Sequence, residues 1–362
     1  MKTLLLGDVC PSVVTADSFR KKDIDTLFSD VVPMMKESEF CFVNLECALT
    51  EADTKIKKFG PHLKAPSETA EILKELGVSV CGLSNNHIFD YGIDGAKDTI
   101  AVLNSVGLDY TGFGDDYGKS RKNYFYEKNG EKICVIAVCE HEFSGALENR
   151  MGSRTFEYDT FGDIIKAKKV ADRVIVCYHG GKEFSRYPSP RLRKVCRAMA
   201  DCGADVVLCQ HSHCIGAYEK FGDTHILYGQ GNFHFLYTID MECWHTSLAV
   251  KYDTKSGEIE FVPLKETDNG IEIAKGDDGK EIMSAFEARN INLHNGVWLD
   301  EWHNFCIENK ELYIDGIAKA GLDESTETDT KLFAQLLNCE AHNDVWCELY
   351  KTWNVTNCLD GE

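Results

Sequence analysis

The segment RVIVCYHGGKEFSRYPSPRLRKVCRAMADCGADVVLCQHSH, residues 173–213, contains a complete strand, helix and second strand. Two short apolar runs, Arg173–Tyr178 and Asp205–Cys209, are typical of buried strands. Between them Ser189, followed by proline, predicts the start of a helix over Leu192–Cys202, and the glycine after it predicts its end. This order favours a layered α/β domain with a substantial parallel component.

The same alternation extends over the first two-thirds of the chain. Helices are predicted over Glu68–Leu76, with Ser67 as N-cap, and over Ile93–Val106. Ser247–Tyr252 and Glu258–Val262 predict a hairpin. The remaining predicted strands are Thr3–Leu6, Phe40–Val43, Val78–Leu83, Ile133–Val138 and His225–Tyr228.

The character of the sequence changes near residue 265. We therefore expect one α/β domain over residues 1–265 and a mostly helical, charged extension over residues 266–362 that packs on it. No catalytic pattern stands out in the extension. Its aromatic residues are interpreted as packing anchors: Trp298, Trp302, Trp346 and Trp353.

Composition excludes several classes of partner. With 59 acidic against 39 basic residues the net charge is −20, which repels nucleic acid and anionic membranes. The 16 cysteines include no C-x-x-C pair and several lie in apolar runs, so we interpret them as buried and reduced. The start, MKTLLLGDVCPS, is too short an apolar run for a signal peptide and predicts a strand. A cytoplasmic protein without a membrane span is expected, while its oligomeric state stays open.

Polar side chains follow five of the predicted strands, at the point where each strand ends. In open α/β sheets, ligands bind at the carboxyl ends of the strands. Each group alone is typical of a turn or a helix cap, but their recurrence at equivalent positions favours one shared site. The mixed oxygen and nitrogen donors suit one or two divalent transition metals, Mn²⁺, Zn²⁺ or Fe²⁺. The candidate ligands are Asp8, Glu46, Asn86, His179, His211 and His213.

These motifs also resemble a known family. They are GDV at 7–9, NLE at 44–46, KAP at 64–66, LSNNHIFDYG at 83–92, HGGKE at 179–183, HSH at 211–213 and YGQGNF at 228–233. In order and combination they are similar to those of the CapA family, bacterial proteins of poly-γ-glutamate capsule synthesis that carry the PGA_cap domain. That family lies within the calcineurin-like metallophosphoesterase superfamily. The resemblance implies a four-layer α/β/β/α metallophosphoesterase-like sandwich.

The resemblance also implies roles for individual residues. One metal would be held by Asp8, Glu46 and His213, and the second by Glu46, Asn86, His179 and His211. Glu46 would bridge the two, and a metal-bound water would be the nucleophile. His87 would act as the acid that protonates the leaving group, and Asp90 would orient its ring.

Three positions depart from the superfamily pattern. Cys10 stands where D-x-H has histidine, and either a thiolate ligand or a packed thiol is compatible with it. Glu46 replaces aspartate, and Gln210 replaces the glycine before H-x-H. These departures weaken the first metal site more than the second, so a one-metal centre is an alternative.

Other polar residues near the motifs are candidates for catalysis or for substrate binding. Glu183 is either a pocket residue, acting as a base or substrate contact, or the partner of Lys182 in a solvated ion pair. Asn232 is interpreted as support for the pocket or as a turn cap. The candidate cations for an anionic substrate are Lys64, Lys182 and Arg186.

The first functional hypothesis is a metal-dependent hydrolase that acts on a phosphoester or on a γ-glutamyl or other amide. Its substrate would be a small anion or poly-γ-glutamate. The alternatives are a non-catalytic protein that binds poly-γ-glutamate or assists capsule assembly, and a protein with a structural metal. The complete donor set and His87 favour the enzyme, because a binding protein has no use for a general acid.

Overall fold

The computed structural model describes residues 1–351 except Ser12 and Asp323. Its strands are β1 Lys2–Val9, β2 Phe40–Leu45, β3 Ala48–Leu49, β4 Lys64–Ala65, β5 Val80–Gly82, β6 Asp109–Thr111, β7 Phe113–Gly114, β8 Tyr124–Lys128, β9 Glu131–Cys139, β10 Gly152–Ser153, β11 Arg173–His179, β12 Val206–Gln210, β13 Tyr218–Phe221, β14 Thr224–Leu227, β15 Asn232–His234, β16 Thr246–Asp253, β17 Ile259–Glu266 and β18 Ile271–Ile273.

The helices are α1 Ala16–Arg20, α2 Ile24–Phe28, α3 Val31–Glu37, α4 Glu68–Glu75, α5 Gly92–Ser105, α6 Tyr117–Ser120, α7 Asp159–Lys168, α8 Pro190–Asp201, α9 Gly276–Asn295, α10 Trp298–Glu308, α11 Lys310–Ala320, α12 Glu327–Asn338 and α13 Glu340–Leu349. A short 3₁₀ helix spans Glu242–His245. Within the described part of the chain, no helix is both long enough and apolar enough to cross a membrane.

Two large sheets form the centre of the molecule. The first has the order β18-β17-β16-β1-β2-β5-β6, with β15 also paired to β1, and the second has the order β13-β14-β12-β11-β9-β8. Strands β1, β2, β5 and β6 are mutually parallel, as are β9, β11, β12 and β14. The predicted hairpin is present as the antiparallel pair β16 and β17.

The four-layer α/β/β/α arrangement follows from the alternation of side chains along the strands. Leu4 and Leu6 face the layer of helices α1–α5, whereas Leu5 faces the second sheet. In β9, Ile136 packs toward the helix layer of α7 and α8, whereas Val135 packs between the sheets. Burial on both faces explains why these strands are continuous apolar runs.

Both predicted N-cap residues precede their helices, Ser67 at α4 and Ser189 at α8, but only Ser189 forms a capping hydrogen bond. The Ser189 hydroxyl accepts a hydrogen bond from the Leu192 amide and Pro190 stands in the first turn of α8, as predicted. Ser67, by contrast, makes no capping hydrogen bond at α4. Its backbone angles, φ −60° and ψ −30°, are already helical, so its hydroxyl is not placed to reach the free amides of the first turn.

The C-terminal extension is helical from Gly276 onward, although β18, which lies beyond residue 265, still pairs with β17. Its helices have a small core of their own, which includes Trp302, Tyr313 and Leu336. Trp298 packs on the helix layer of the second sheet, and Trp346 contacts the ring of Tyr313. These residues are packing anchors, as predicted, whereas Trp353 lies outside the described residues.

The described cysteines are all free, and most of them are buried. Cys10 is fully buried in the core between the first sheet and its helices, and burial raises the pKa of its thiol well above the usual value. It belongs to neither donor cluster described below. The packed-thiol interpretation of Cys10 therefore agrees with its position.

Candidate metal centre

The carboxyl ends of β1 and β2 place Asp8 beside Asn44, because the two strands are parallel and these residues are paired across them. The Asn44 side chain donates a 2.7 Å hydrogen bond to Asp8 Oδ1, and the His211 amide donates to Oδ2 at 3.3 Å. Burial acts to raise the pKa of Asp8, but the nearby imidazoles and Asn44 hold it well below its usual range. Asp8 is therefore a fixed, buried carboxylate.

Gly7 allows this strand end to approach a second loop. A Cβ atom at residue 7 would lie 2.2 Å from the carbonyl oxygen of Gly231, which itself has a left-handed φ of +75°. The two glycines belong to the GDV and GQGNF motifs, so these motifs are in contact in the folded chain. Their contact brings Asn232, paired with Asp8, to the same edge of the sheet.

Glu46 follows β2 and is completely buried. Neither of its carboxylate oxygens accepts a hydrogen bond from any described residue, although His179 Nε2 lies 3.3 Å from Oε1. Burial, together with the charge of Asp8, raises the pKa of Glu46 to about 7. A buried carboxylate without hydrogen-bond donors is costly, and a cation would compensate it.

Three imidazoles face these carboxylates. His179 ends β11, and its Nε2 lies 3.1 Å from Asn86 Oδ1. His211 and His213 follow β12 with φ values of +76° and +53°, a left-handed conformation that costs about 1–3 kcal/mol per residue and is typical of functional loops. The two residues are thereby aimed at the carboxylates instead of continuing the strand.

The protonation preferences of these histidines differ. Burial acts to lower the pKa of His179, but Glu46 and Asp8 raise it to about 10. Burial lowers the pKa of His211 well below its usual value and also lowers that of His213, and the neighbouring imidazoles add to both effects. His211 Nδ1 is buried without a hydrogen-bond partner among the described residues. Neutral imidazoles are the form that binds metals, which fits His211 and His213, whereas His179 would release its proton when a metal binds.

The donors form two clusters that share one residue. Glu46, His179 and His211 are one cluster, and Asp8, Glu46 and His213 are the other; within each, the donor atoms lie within 4.8 Å of one another. The unpartnered oxygens of Glu46 and the unpartnered nitrogen of His211 fit a metal-binding role. The donor set of carboxylates and imidazoles is also the type that Zn²⁺, Mn²⁺ and Fe²⁺ accept.

Asn232 supports this centre from behind His213. Its Oδ1 lies 2.8 Å from His213 Nδ1, and its amide nitrogen donates to the Trp244 carbonyl at 3.3 Å. The His213 ring also packs on Trp244, with ring centroids 4.4 Å apart. The contact to Asn232 fixes the orientation of the ring and leaves Nε2 free.

A second polar cluster surrounds His87 of the LSNNHIFDYG motif. His87 Nδ1 lies 2.7 Å from Asp90 Oδ2, and Lys58 Nζ lies 2.5 Å from Asp90 Oδ1. Lys58 Nζ also approaches His87 Nδ1 at 3.1 Å. The side chains of Lys58 and Asp90 are 1% and 0% exposed, so this is a buried charge pair. The structure brings His87 and Asp90 together, as the sequence predicts, and adds a lysine.

Sequence comparison assigns the chain to a protein family. Residues 2–237, about two-thirds of the chain, match the family described as "Bacterial capsule synthesis protein PGA_cap". The chain belongs to the PGA_cap family. The matched region contains every residue of the two donor clusters.

Two relatives from Bacillus have names that refer to capsule or PGA biosynthesis. The chain is 32% identical to "Capsule biosynthesis protein CapA" of Bacillus anthracis over 64% of its own length and 59% of that protein's. It is also 32% identical to "PGA biosynthesis protein CapA" of Bacillus subtilis (strain 168), over 72% of its own length and 70% of the relative's.

Solved structures show weaker similarity. A hypothetical protein from Thermus thermophilus has 15% identity and a TM-score of 0.48, with coverage of 74% of this chain and 100% of that one. A 5'-nucleotidase from Candida albicans has 9% identity and a TM-score of 0.42, with coverage of 78% and 54%.

Two of the three predicted substrate cations in this PGA_cap chain, Lys64 and Lys182, are paired with neighbouring carboxylates. Lys64 Nζ donates to the Ala52 carbonyl at 2.9 Å and pairs with Asp53 at 3.1 Å, so it holds its own loop. Lys182 is 9% exposed and lies 3.4 Å from Glu183, so the two are paired, but the lysine is buried, unlike the solvated pair of the prediction.

Glu183 also lies near the metal centre. Burial acts to raise its pKa, but Lys182, His211 and His213 hold it well below the usual value. The pocket and ion-pair interpretations of Glu183 therefore describe the same position.

Glu142 is a further candidate site residue that was not among the sequence candidates. It lies close to Asn86, Lys58 and Glu183, and burial, together with the charge of Glu183, raises its pKa to about 7. It follows β9, so the rule of polar residues at strand ends also applies to the segment Cys139–Glu142. Applying that rule to this strand as well would have identified Glu142.

The C-terminal extension reaches the same edge, beyond the region that matches the family. Gln335 donates to Glu142 at 3.4 Å, and Glu340 lies 2.5 Å from His141 Nδ1. Burial and the charge of Lys182 lower the pKa of His342 to about 3. Helices α12 and α13 thus cover the side of the centre that carries Glu142 and Lys182.

Proposed function

We propose that this PGA_cap chain is a metal-dependent hydrolase of capsule polymer metabolism, which acts on a phosphoester or on a γ-glutamyl or other amide bond. One observation carries the proposal. Glu46 is shared by two donor clusters, is fully buried, and has no hydrogen-bond donor on either oxygen among the described residues. This arrangement fits a carboxylate that bridges two cations.

The residues that would hold the metals are Asp8, Glu46 and His213 for one, and Glu46, Asn86, His179 and His211 for the other. Bound metals of this kind lower the pKa of a coordinated water and polarise the scissile group. The protein supplies fixed donors: Asn44 holds Asp8, and Asn232 holds His213. Ligands held in this way need little reorganisation when the metal binds.

His87 is proposed as the proton donor to the leaving group. Its Nδ1 is engaged by Asp90, which leaves Nε2 to exchange a proton. The buried charge of Lys58 holds the Asp90 carboxylate in position. Asp90 therefore acts as a positioning residue, and so does Lys58.

Lys182 and Glu183 are proposed to line the substrate pocket. They follow His179 on the same loop and are covered by the extension, where His342 is close to both. A cation and an acceptor at this position would contact an anionic substrate that carries amide or hydroxyl groups. A cytoplasmic location and the division of the chain near residue 265 remain predictions.

A specific observation favours the alternative of a non-catalytic polymer-binding protein. The names of the Bacillus relatives describe capsule or PGA biosynthesis and name no reaction. The two functions are separated by assaying metal-reconstituted protein on an aryl phosphate and on γ-linked glutamate oligomers. Turnover of either, lost in His211→Ala, supports the hydrolase; metal binding without turnover on any of them supports the polymer-binding protein.

A further inference from the structure

A second polar pocket lies between the core and helix α9. It has a volume of about 260 Å³, and its lining includes Ile215 and Cys243. The charged residues that line it are the cations Arg186, Lys265 and Arg289 and the carboxylates Glu242, Asp278 and Glu281. It is close to the metal centre in the chain: Ile215 follows His213 by two residues, and Cys243 precedes Trp244, which packs on the His213 ring.

Arg289 is the unusual member of this pocket. It is 7% exposed, and its Nε is buried without a hydrogen-bond partner. In the part of the chain that the structure describes, no carboxylate lies within ion-pair distance of its guanidinium. Burial, and then the charge of Arg186, lower its pKa. A buried guanidinium without a counter-charge is costly, which indicates that a bound anion completes the pocket.

Among the described residues, none of the three carboxylates that line the pocket forms an ion pair with Arg289. Lys265 is compensated by Asp278 at 2.5 Å and Glu272 at 3.2 Å. Arg186 reaches Glu242 only at 3.7 Å, and the Glu242 side chain is 92% exposed. An incoming oxyanion can therefore displace Glu242 from Arg186 at little cost, since exposed pairs are weak.

The helix that carries Arg289 is held firmly against the core. The Tyr218 amide donates to Asn290 at 2.7 Å, and the Asn292 side chain donates to the Tyr187 hydroxyl at 3.1 Å. Because Tyr187 is the neighbour of Arg186, these bonds hold the backbone segments that carry the two arginines close to each other. Such preorganisation favours bidentate recognition of a planar or tetrahedral oxyanion.

We propose that Arg289 and Arg186 form an oxyanion-binding subsite that takes a carboxylate or phosphate group of an extended anionic substrate. The inference that this subsite binds an oxyanion depends only on the residues of the pocket. The inference that the oxyanion belongs to a substrate rests on the proposed function. Arg289 lies beyond the residues that match the family, which end at 237, so the subsite depends on this chain's extension.

The test measures binding of two probes, inorganic phosphate and tri-γ-glutamate, to the full-length chain by calorimetry. The Glu46→Gln variant is used as the reference protein, because Glu46 belongs to both donor clusters and its loss should remove binding through the metal centre. We expect it to retain one oxyanion site. Arg289→Gln should weaken that site about 10- to 100-fold, the loss typical of a charge-assisted hydrogen-bond pair. Arg186→Gln should weaken it less.

Two further variants keep the test decisive. Arg20→Gln removes one exposed positive charge and should leave binding unchanged. If Arg289→Gln does not fold, as judged by circular dichroism, Ala285→Glu places a carboxylate on the exposed face of α9 that lines the pocket and should abolish binding. Binding of phosphate but not tri-γ-glutamate would assign the subsite to phosphorylated substrates, and the reverse would assign it to the polymer.

Lack of binding by both probes, or equal binding by folded Arg289→Gln, would overturn the subsite. The failure of the proposed function is a separate result. In that case the metal-reconstituted wild-type protein shows no turnover, while the Arg289-dependent binding persists.

Discussion

His213 Nδ1 and Asn232 Oδ1 lie 2.8 Å apart, which joins the HSH and YGQGNF motifs behind the candidate metal centre. Because the asparagine fixes the ring, Asn232→Ala should weaken metal binding about 10- to 100-fold without unfolding the protein. Competition with a fluorescent chelator measures this. Asn149→Ala, at an exposed position, is the matched control. Equal affinity in the two variants would refute the role of Asn232.

His87 should be needed for turnover but not for metal. His87→Ala should keep its metal content and lose activity by about 10²–10⁴-fold, as expected for a lost acid. Asp90→Asn should lower activity and also shift the pH profile, because it changes the partner of His87 Nδ1. Normal turnover by His87→Ala on a substrate that the wild-type protein cleaves would remove His87 from the mechanism.

Lys58 should be important for stability as well as for orientation. Lys58→Met leaves the Asp90 carboxylate without its lysine, so the free energy of unfolding should fall by about 3–5 kcal/mol. Lys57→Met is the control, since the Lys57 side chain is 87% exposed and its loss should change little. Chemical denaturation compares the two variants. Similar unfolding midpoints would show that the buried pair does not stabilise the fold.

The attachment of α13 should depend on pH through His141. Hydrogen bonding to Glu340, with a further bond to Glu157, raises the pKa of His141 from 6.5 to about 9. A raised pKa means that the protonated form stabilises the fold. This contribution is complete below pH 6.5 and is lost as the pH rises through 9.

Because His141 is 41% exposed, solvent screening limits the contribution to about 1 kcal/mol. Hydrogen exchange of α13 should therefore accelerate between about pH 7 and 10 beyond the intrinsic rate, and His141→Gln should remove this dependence. Protection that is identical in wild-type protein and variant across this range would contradict the assignment.

Much of this site could be predicted from the sequence because parallel strands end at a common edge. Asp8, Glu46, His179 and His211 each follow an apolar run, so the pattern places them together before any geometry is known. The same pattern could not place Lys58, because it lies in an irregular segment whose approach to Asp90 depends on tertiary packing. Arg289 was likewise missed, since an arginine in an amphipathic helix is normally solvated.

The fold was predictable for a related reason. Runs such as those of β1 and β9 are apolar over most of their length, which indicates burial on both faces and hence a layered structure. The lack of a capping hydrogen bond at Ser67 could not be predicted, because the residue type alone does not fix the backbone angles of the residue. The pairing of β18 beyond residue 265 was not visible either, since a three-residue edge strand carries too little periodicity.

The most direct test of the central claim is the metal content of the purified protein after reconstitution, measured by elemental analysis beside Glu46→Gln and His211→Ala. We expect about two transition-metal equivalents per chain. Glu46→Gln should lose both, because Glu46 belongs to both donor clusters, and His211→Ala should lose one. Metal content that is unchanged in both variants, or no metal in the wild-type protein under any loading condition, would contradict it.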